Sequence, residues 1–221
     1  MKFTKNDNKV WQTLFARQVP NLEKFACQEF LEGFKRLKLP ADHIPDAQWL
    51  HARIHPVSGW SIVDTSVRYL NDDEWADHMK NKKFPITNFL RTMDELDFTP
   101  EPDVFHDIFG HLPMLMCPKL VTILDEFSKI YSTKPKSAQF SIAQLFWNSL
   151  EFGLIQEKGE VKAFGAGLMS SFGEIPHVRS HKTQQFTLEN GIKKPRAVAS
   201  FHSSFLLIDS VDQLRNELEK F

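Results

Sequence analysis

Two histidines, His106 and His111, stand five residues apart in the stretch Thr99-Pro100-Glu101-Pro102-Asp103-Val104-Phe105-His106-Asp107-Ile108-Phe109-Gly110-His111-Leu112-Pro113. Imidazoles in so apolar a run need partners, either hydrogen bonds inside a core or a metal ion. On an ideal α-helix, residues five apart point about 140° away from each other. The pair converges on one ion only if the helix loosens, and Gly110 is where it can. Glu151, between Leu150 and Phe152, offers a third ligand; its helical neighbours are Trp147, Asn148, Leu154 and Ile155. A carboxylate on that face is partly buried and needs a partner, which is an arginine, a lysine or a metal. Two imidazoles and a carboxylate on one face of an octahedral ion form the facial triad of non-haem Fe(II) oxygenases, with three positions open to reactants. The zinc-protease pattern fits worse, because it needs histidines four apart with a glutamate directly after the first. Two hydrogen-bonded core histidines also satisfy the spacing.

The elements that must hold these residues are mostly helical. Pro100 and Pro102 restrict the residues before them, so a helix starts near Asp103, a natural cap, and Pro113 limits its run. Residues 9–18 read as a short helix ended by Pro20, 21–38 as a second helix stopped by Pro40, and 45–52 as a third. His55-Pro56-Val57-Ser58-Gly59 reads as a loop before a short strand. Helices are expected over 72–82, 118–132 and 136–155, the last apolar and central. Glu157-Lys158-Gly159-Glu160 reads as a hairpin turn, and 197–208 as a strand. Ser210 opens a last helix. Phe164-Gly165-Ala166-Gly167-Leu168 is a passage where backbone can approach backbone or ligand. The sum is a mainly α fold with a few short strands.

Composition bounds the rest. The 221 residues suit one domain, with 1–9 expected to be loose, and 42% hydrophobic with 25% charged is globular. A net charge of −1 gives no electrostatic case for nucleic acid. No apolar run approaches membrane-spanning length and no signal-peptide core opens the chain, so a cytoplasmic protein is expected. Cys27 and Cys117 lack metal or redox spacing and read as reduced, half-buried thiols. Twenty phenylalanines against two tyrosines suit a dry core.

The run Pro-Glu-Pro-Asp-x-x-His-Asp-x-x-Gly-His-x-Pro resembles the signature of the pterin-dependent aromatic amino acid hydroxylases. So do Glu151-Phe152-Gly153-Leu154 and the later Phe164-Gly165-Ala166-Gly167-Leu168-Met169-Ser170-Ser171. The resemblance covers roughly residues 10–221 and implies that family's catalytic-domain fold. It places Fe(II) on His106, His111 and Glu151, and puts an amino-acid carboxylate on Arg91, which Asp103 holds in place. It sets Thr99, Trp147, Phe152, Gly167, Ser170 and Val198 around the bound amino acid. A tetrahydropterin would lie among Leu70, Trp75, Asp107 and Phe146, with O₂ as cosubstrate. Asp107 and Glu151 would be the acidic groups nearest the chemistry. Tryptophan, phenylalanine and valine at 147, 152 and 198 look like the phenylalanine enzymes. The implied activity is hydroxylation of L-phenylalanine to L-tyrosine.

Asp107 and Asn81-Lys82-Lys83-Phe84-Pro85 resemble the bacterial members. The resemblance leaves no room for a regulatory or tetramerisation segment, so one catalytic domain, unregulated and monomeric, is expected. The chain departs from the family at the pterin loop. Val67-Arg68-Tyr69-Leu70 replaces a Pro-Gly-Leu-like turn, Trp75 replaces a stacking phenylalanine, and Phe146 replaces a tyrosine. Arg68 is read as solvated or as a contact to a pterin tail. Three alternatives stay open: tryptophan as substrate, another ring carbon of phenylalanine, or a metal-binding protein that no longer uses pterin.

Overall fold

The first helix, α1 (Lys5–Phe25), starts earlier and ends later than its sequence pattern suggests. The computed structural model describes residues 3–221 apart from 66, 100, 198 and 199. Thr4 and Asp7 form a capping box, each side chain taking the other's backbone N–H. Two end amides are thereby satisfied, so the expected loose start is helical from residue 5. Pro20 lies inside the helix rather than ending it. One backbone bond is lost there, but Val10, Trp11, Leu14, Leu22 and Phe25 bury one face on both sides of the proline.

The expected second helix is accordingly split. Ala26 and Cys27 are extended, the Cys27 N–H donates to the Ala163 carbonyl, and α2 covers Gln28–Leu37. Next, α3 (Ala47–Ser58) is capped by Asp46 and passes through Pro56. It stops only at Gly59, whose φ is 75°, so the expected loop at 55–58 is the last turn of a helix. A parallel pair, β1 (Ser61–Asp64) and β2 (Lys83–Ile86), flanks α4 (Asp72–Met79).

Two π-helices form the centre. The first spans His106–His111 and is followed by a 3₁₀ segment, Leu112–Met116, and by α5 (Pro118–Thr133). The second, Trp147–Glu151, continues α6 (Gln139–Phe146). The hairpin β3 (Leu154–Glu157) and β4 (Glu160–Ala163) leads into α7 (Ala166–Ser170), which packs against both π-helices. At Gly110 an added Cβ would lie 2.6 Å from the Ala166 carbonyl oxygen, so only glycine permits this approach. The chain closes with β5 (Lys182–Gln185), α8 (Leu188–Lys193), β6 (Ser204–Ile208) and α9 (Val211–Leu218). The four-stranded sheet has the order β4-β3-β6-β5. Among the described residues the strand expected over 197–208 is confined to β6.

Four of the phenylalanines cluster at the first π-helix. Phe105 and Phe109 stack at 4.6 Å, with Trp11 edge-on to Phe105 and both Phe15 and Phe34 edge-on to Phe109. Cys27 and Cys117 are free and fully buried rather than half-buried, and burial pushes the Cys27 thiol up, away from reactivity. Among the described residues no single helix is long and apolar enough to cross a membrane.

Candidate metal centre and its two cavities

The π-helical turn is what makes the histidine spacing work. With i→i+5 bonding, residues five apart fall one turn on and share a side. His106 and His111 therefore meet, with their Nε2 atoms 3.1 Å apart. The second π-helix brings in Glu151, with Oε1 2.9 Å from His111 Nε2 and Oε2 3.4 Å from His106 Nε2. Among the described residues these three form the one group of histidine, cysteine or acidic side chains able to hold a metal ion. Bonds of about 2.1 Å at right angles set neighbouring ligand atoms about 3.0 Å apart. The His106–His111 and His111–Glu151 distances match that spacing, and the contact to His106 comes from the other carboxylate oxygen.

The protons are arranged to match. Ser170 Oγ donates to the Ala166 carbonyl and lies 2.9 Å from His106 Nδ1. Nδ1 is thus the protonated nitrogen, and the Nε2 lone pair is left facing His111 and Glu151. Burial lowers the His106 pKa to about 4, so its imidazole is uncharged at neutral pH. Burial also opposes the charge on Glu151, but the two imidazoles outweigh it and hold the carboxyl below its ordinary range. His111 Nδ1 is buried and without a hydrogen-bond partner.

Two cavities open onto this centre, sharing Pro102, His106, Trp147 and Glu151 as common lining. The first, about 140 Å³, is lined by Arg91, Thr99, Trp147, Phe152, Gly167 and Ser170 among others. Arg91, which without a motif would read as a surface residue, is 4% exposed. Asp103 sits behind it and takes the Arg91 Nε–H at 2.8 Å, an Nη2–H at 3.0 Å and its backbone N–H at 3.0 Å. Asp103 also caps the helical turn that leads into the first π-helix, accepting the His106 N–H at 3.0 Å. Burial opposes the charge on Asp103, yet the guanidinium and these donors hold its carboxyl below the ordinary carboxylate value. Two of the five guanidinium N–H groups go to Asp103. Val198 lies outside the described residues.

The second cavity, about 190 Å³, contains Leu70, Trp75, Asp107 and Phe146, the four positions expected for a pterin. Trp75 stands edge-on to Phe84 and Phe146. Asp107 accepts both the N–H and the hydroxyl of Thr87, at 2.8 and 2.7 Å. Burial nonetheless pushes its pKa up to about 7. Arg68 is not part of this lining, and its side chain is 57% exposed. It pairs with Glu101 at 2.6 Å and lies over the Phe89 ring.

Sequence reasoning missed Glu174, His202, Thr87, Tyr131 and Arg196, which line one or other cavity. Only Glu174 gave a signal, as an acid three residues past the Ser170-Ser171 pair. Thr87 follows the Asn81–Pro85 run by two residues without a signal of its own, and Tyr131, Arg196 and His202 are brought in by tertiary packing.

The profile of a family described as biopterin-dependent aromatic amino acid hydroxylase matches residues 1–221. A phenylalanine-4-hydroxylase of Chromobacterium violaceum is 34% identical over 217 residues, 96% of this chain and 73% of its own. A phenylalanine 3-hydroxylase of Streptomyces coeruleorubidus is 26% identical over 225 residues, covering 100% of this chain and 79% of its own. The C. violaceum enzyme solved with bound iron(III) and oxidised 7,8-dihydrobiopterin superposes with a TM-score of 0.89 at 34% identity. That match covers 97% of this chain and 80% of that one. Fold and site together define a mainly helical catalytic domain with a two-histidine, one-carboxylate face of the non-haem iron oxygenase kind. The chain belongs to the biopterin-dependent aromatic amino acid hydroxylase family.

Proposed function

We propose that this chain is a phenylalanine 4-monooxygenase that uses Fe(II), a tetrahydropterin and O₂. The observation that carries this reading is the pair of cavities meeting at the triad, one with a buried carboxylate-binding arginine and an aromatic wall, the other with an aromatic platform and a buried acid. His106, His111 and Glu151 would hold the iron. When bound, iron and pterin supply the activation of O₂ and the electrons for ring hydroxylation.

The protein's own residues bind and orient. Arg91, its fork fixed by Asp103, grips the substrate carboxylate at one end of the first cavity. Trp147 and Phe152, rings 4.7 Å apart, form the wall for an aromatic side chain and turn it toward the metal face. Ser170 keeps the His106 proton on Nδ1, leaving Nε2 to coordinate. In the second cavity Trp75 offers a flat surface to a pterin ring, and Asp107 offers a carboxyl held by Thr87. The apolar lining excludes water from both reactants.

The test is turnover of L-phenylalanine by Fe(II)-loaded protein with tetrahydropterin and O₂, the product resolved by chromatography and mass spectrometry. Pterin-dependent L-tyrosine is the expected result. Hydroxylation of the meta carbon would move the chain toward the S. coeruleorubidus relative, and iron binding with no product from any aromatic amino acid would overturn the reading.

A further inference from the structure

The wall of the first cavity contains a buried pair that the functions assigned so far do not use. Glu174 and His202 are 4% and 3% exposed. One carboxylate oxygen of Glu174 accepts the backbone N–H of His202 at 2.7 Å and lies 2.9 Å from its Nδ1. Across the ring, His202 Nε2 accepts the indole N–H of Trp147 at 3.1 Å. An indole nitrogen only donates and a carboxylate only accepts, so one tautomer, with the proton on Nδ1, satisfies both. The opposite tautomer would set two N–H groups against each other at Trp147.

Both ring nitrogens are therefore committed, and His202 has no lone pair to offer a substrate proton. What it supplies is position. Its ring lies 4.1 Å from that of Phe152 and 6.0 Å from that of Trp147. Phe152 is pinned from another side by Gly167, where an added Cβ would fall 2.5 Å from Phe152 Cζ. The two aromatic residues facing the substrate ring are thus fixed by a chain running Glu174 to His202 to Trp147, with Phe152 packed against the imidazole.

We propose that the Glu174–His202 pair is a specificity-determining device. By fixing the imidazole tautomer it sets the angle of Trp147 and Phe152, and so decides which aromatic ring fits and which ring carbon faces the metal. His202 is a positioning residue. The proposal rests on the reading that this cavity takes an aromatic amino acid.

The experiment measures L-phenylalanine binding calorimetrically without pterin, and kcat, KM and product distribution with it. It compares the wild type with His202→Leu, His202→Gln and Trp147→Phe. His202→Leu strands the indole donor, so Kd and KM are expected to rise about tenfold while kcat changes less, with a mixed set of ring positions hydroxylated. His202→Gln offers an oxygen to the indole and an N–H to Glu174, and is expected to restore Kd to within about twofold. Wild-type Kd and product ratio in His202→Leu would overturn the proposal, as would His202→Gln failing as badly as His202→Leu. Should His202→Leu not fold, Trp147→Phe carries the test: it removes the donor together with part of the wall, and an unaltered Kd and product ratio there overturn the proposal. A wild type that binds no aromatic amino acid would remove the functional reading itself, whereas a binding wild type with an indifferent His202 removes only this inference.

Discussion

Two effects suit His106 to the ligand role proposed for it. Ser170 fixes its tautomer, and burial keeps the ring uncharged. His106→Ala is expected to abolish turnover and reduce bound iron by at least about tenfold, since it removes one of three ligands, and metal analysis of the purified variant checks this. Asp103 carries a different load, because it holds Arg91 and caps the turn leading into the first π-helix together. Asp103→Asn leaves a guanidinium buried without its counter-charge, and a loss of about 3–5 kcal/mol in chemical denaturation is expected. The sign of the pH dependence follows from the direction of the shift. The folded pKa of Asp103 lies below its unfolded value, so its contribution is whole above about pH 5 and drains away only as the pH falls below about 4. Denaturation of the wild type and Asp103→Asn at several pH values should therefore converge only in acid.

At the scale of elements, the two π-helices decide the site. Glycine at 110 lets the first lie against α7, and Gly110→Ala should cost about 1–3 kcal/mol through overpacking at the Ala166 carbonyl. The same substitution should lower iron stoichiometry, because the turn carrying His106 and His111 must shift; thermal melts and metal analysis test both effects. The spacing of the histidines made a loosened helix at Gly110 readable from the residues, and the structure has one there. The carboxylate on the central helix was readable for a similar reason, since a lone charge among Leu150, Phe152 and Trp147 demands a partner. Helix ends were less readable. Pro20 and Pro56 look like stops because a proline forfeits one backbone bond, yet burial on both sides of Pro20 carries α1 through, and Pro56 sits in the last turn of α3, which ends only at Gly59. Arg91 needed the family motif to be seen at all, since nothing local reveals that it is buried. The Glu174–His202 pair was invisible for a related reason. Its members are 28 residues apart, and only the packing of the chain between α7 and β6 against Trp147 makes them neighbours.

At the scale of the molecule, the metal face joins segments distant in the chain, so metal binding reports on the whole fold. A ligand present at about 100 to 1,000 times its Kd stabilises by about 3–4 kcal/mol, which for a domain of this size is a rise of about 5–15 °C in melting temperature. Chelation of the iron-loaded protein is expected to reverse that rise, and calorimetry before and after chelation checks it.

The two cavities meet only at Pro102, His106, Trp147 and Glu151, and otherwise have separate walls. Separate doors to one room mean that neither guest has to wait for the other. Varying the amino acid at several fixed pterin concentrations should give double-reciprocal lines that intersect, and an inert pterin analogue should not compete with phenylalanine.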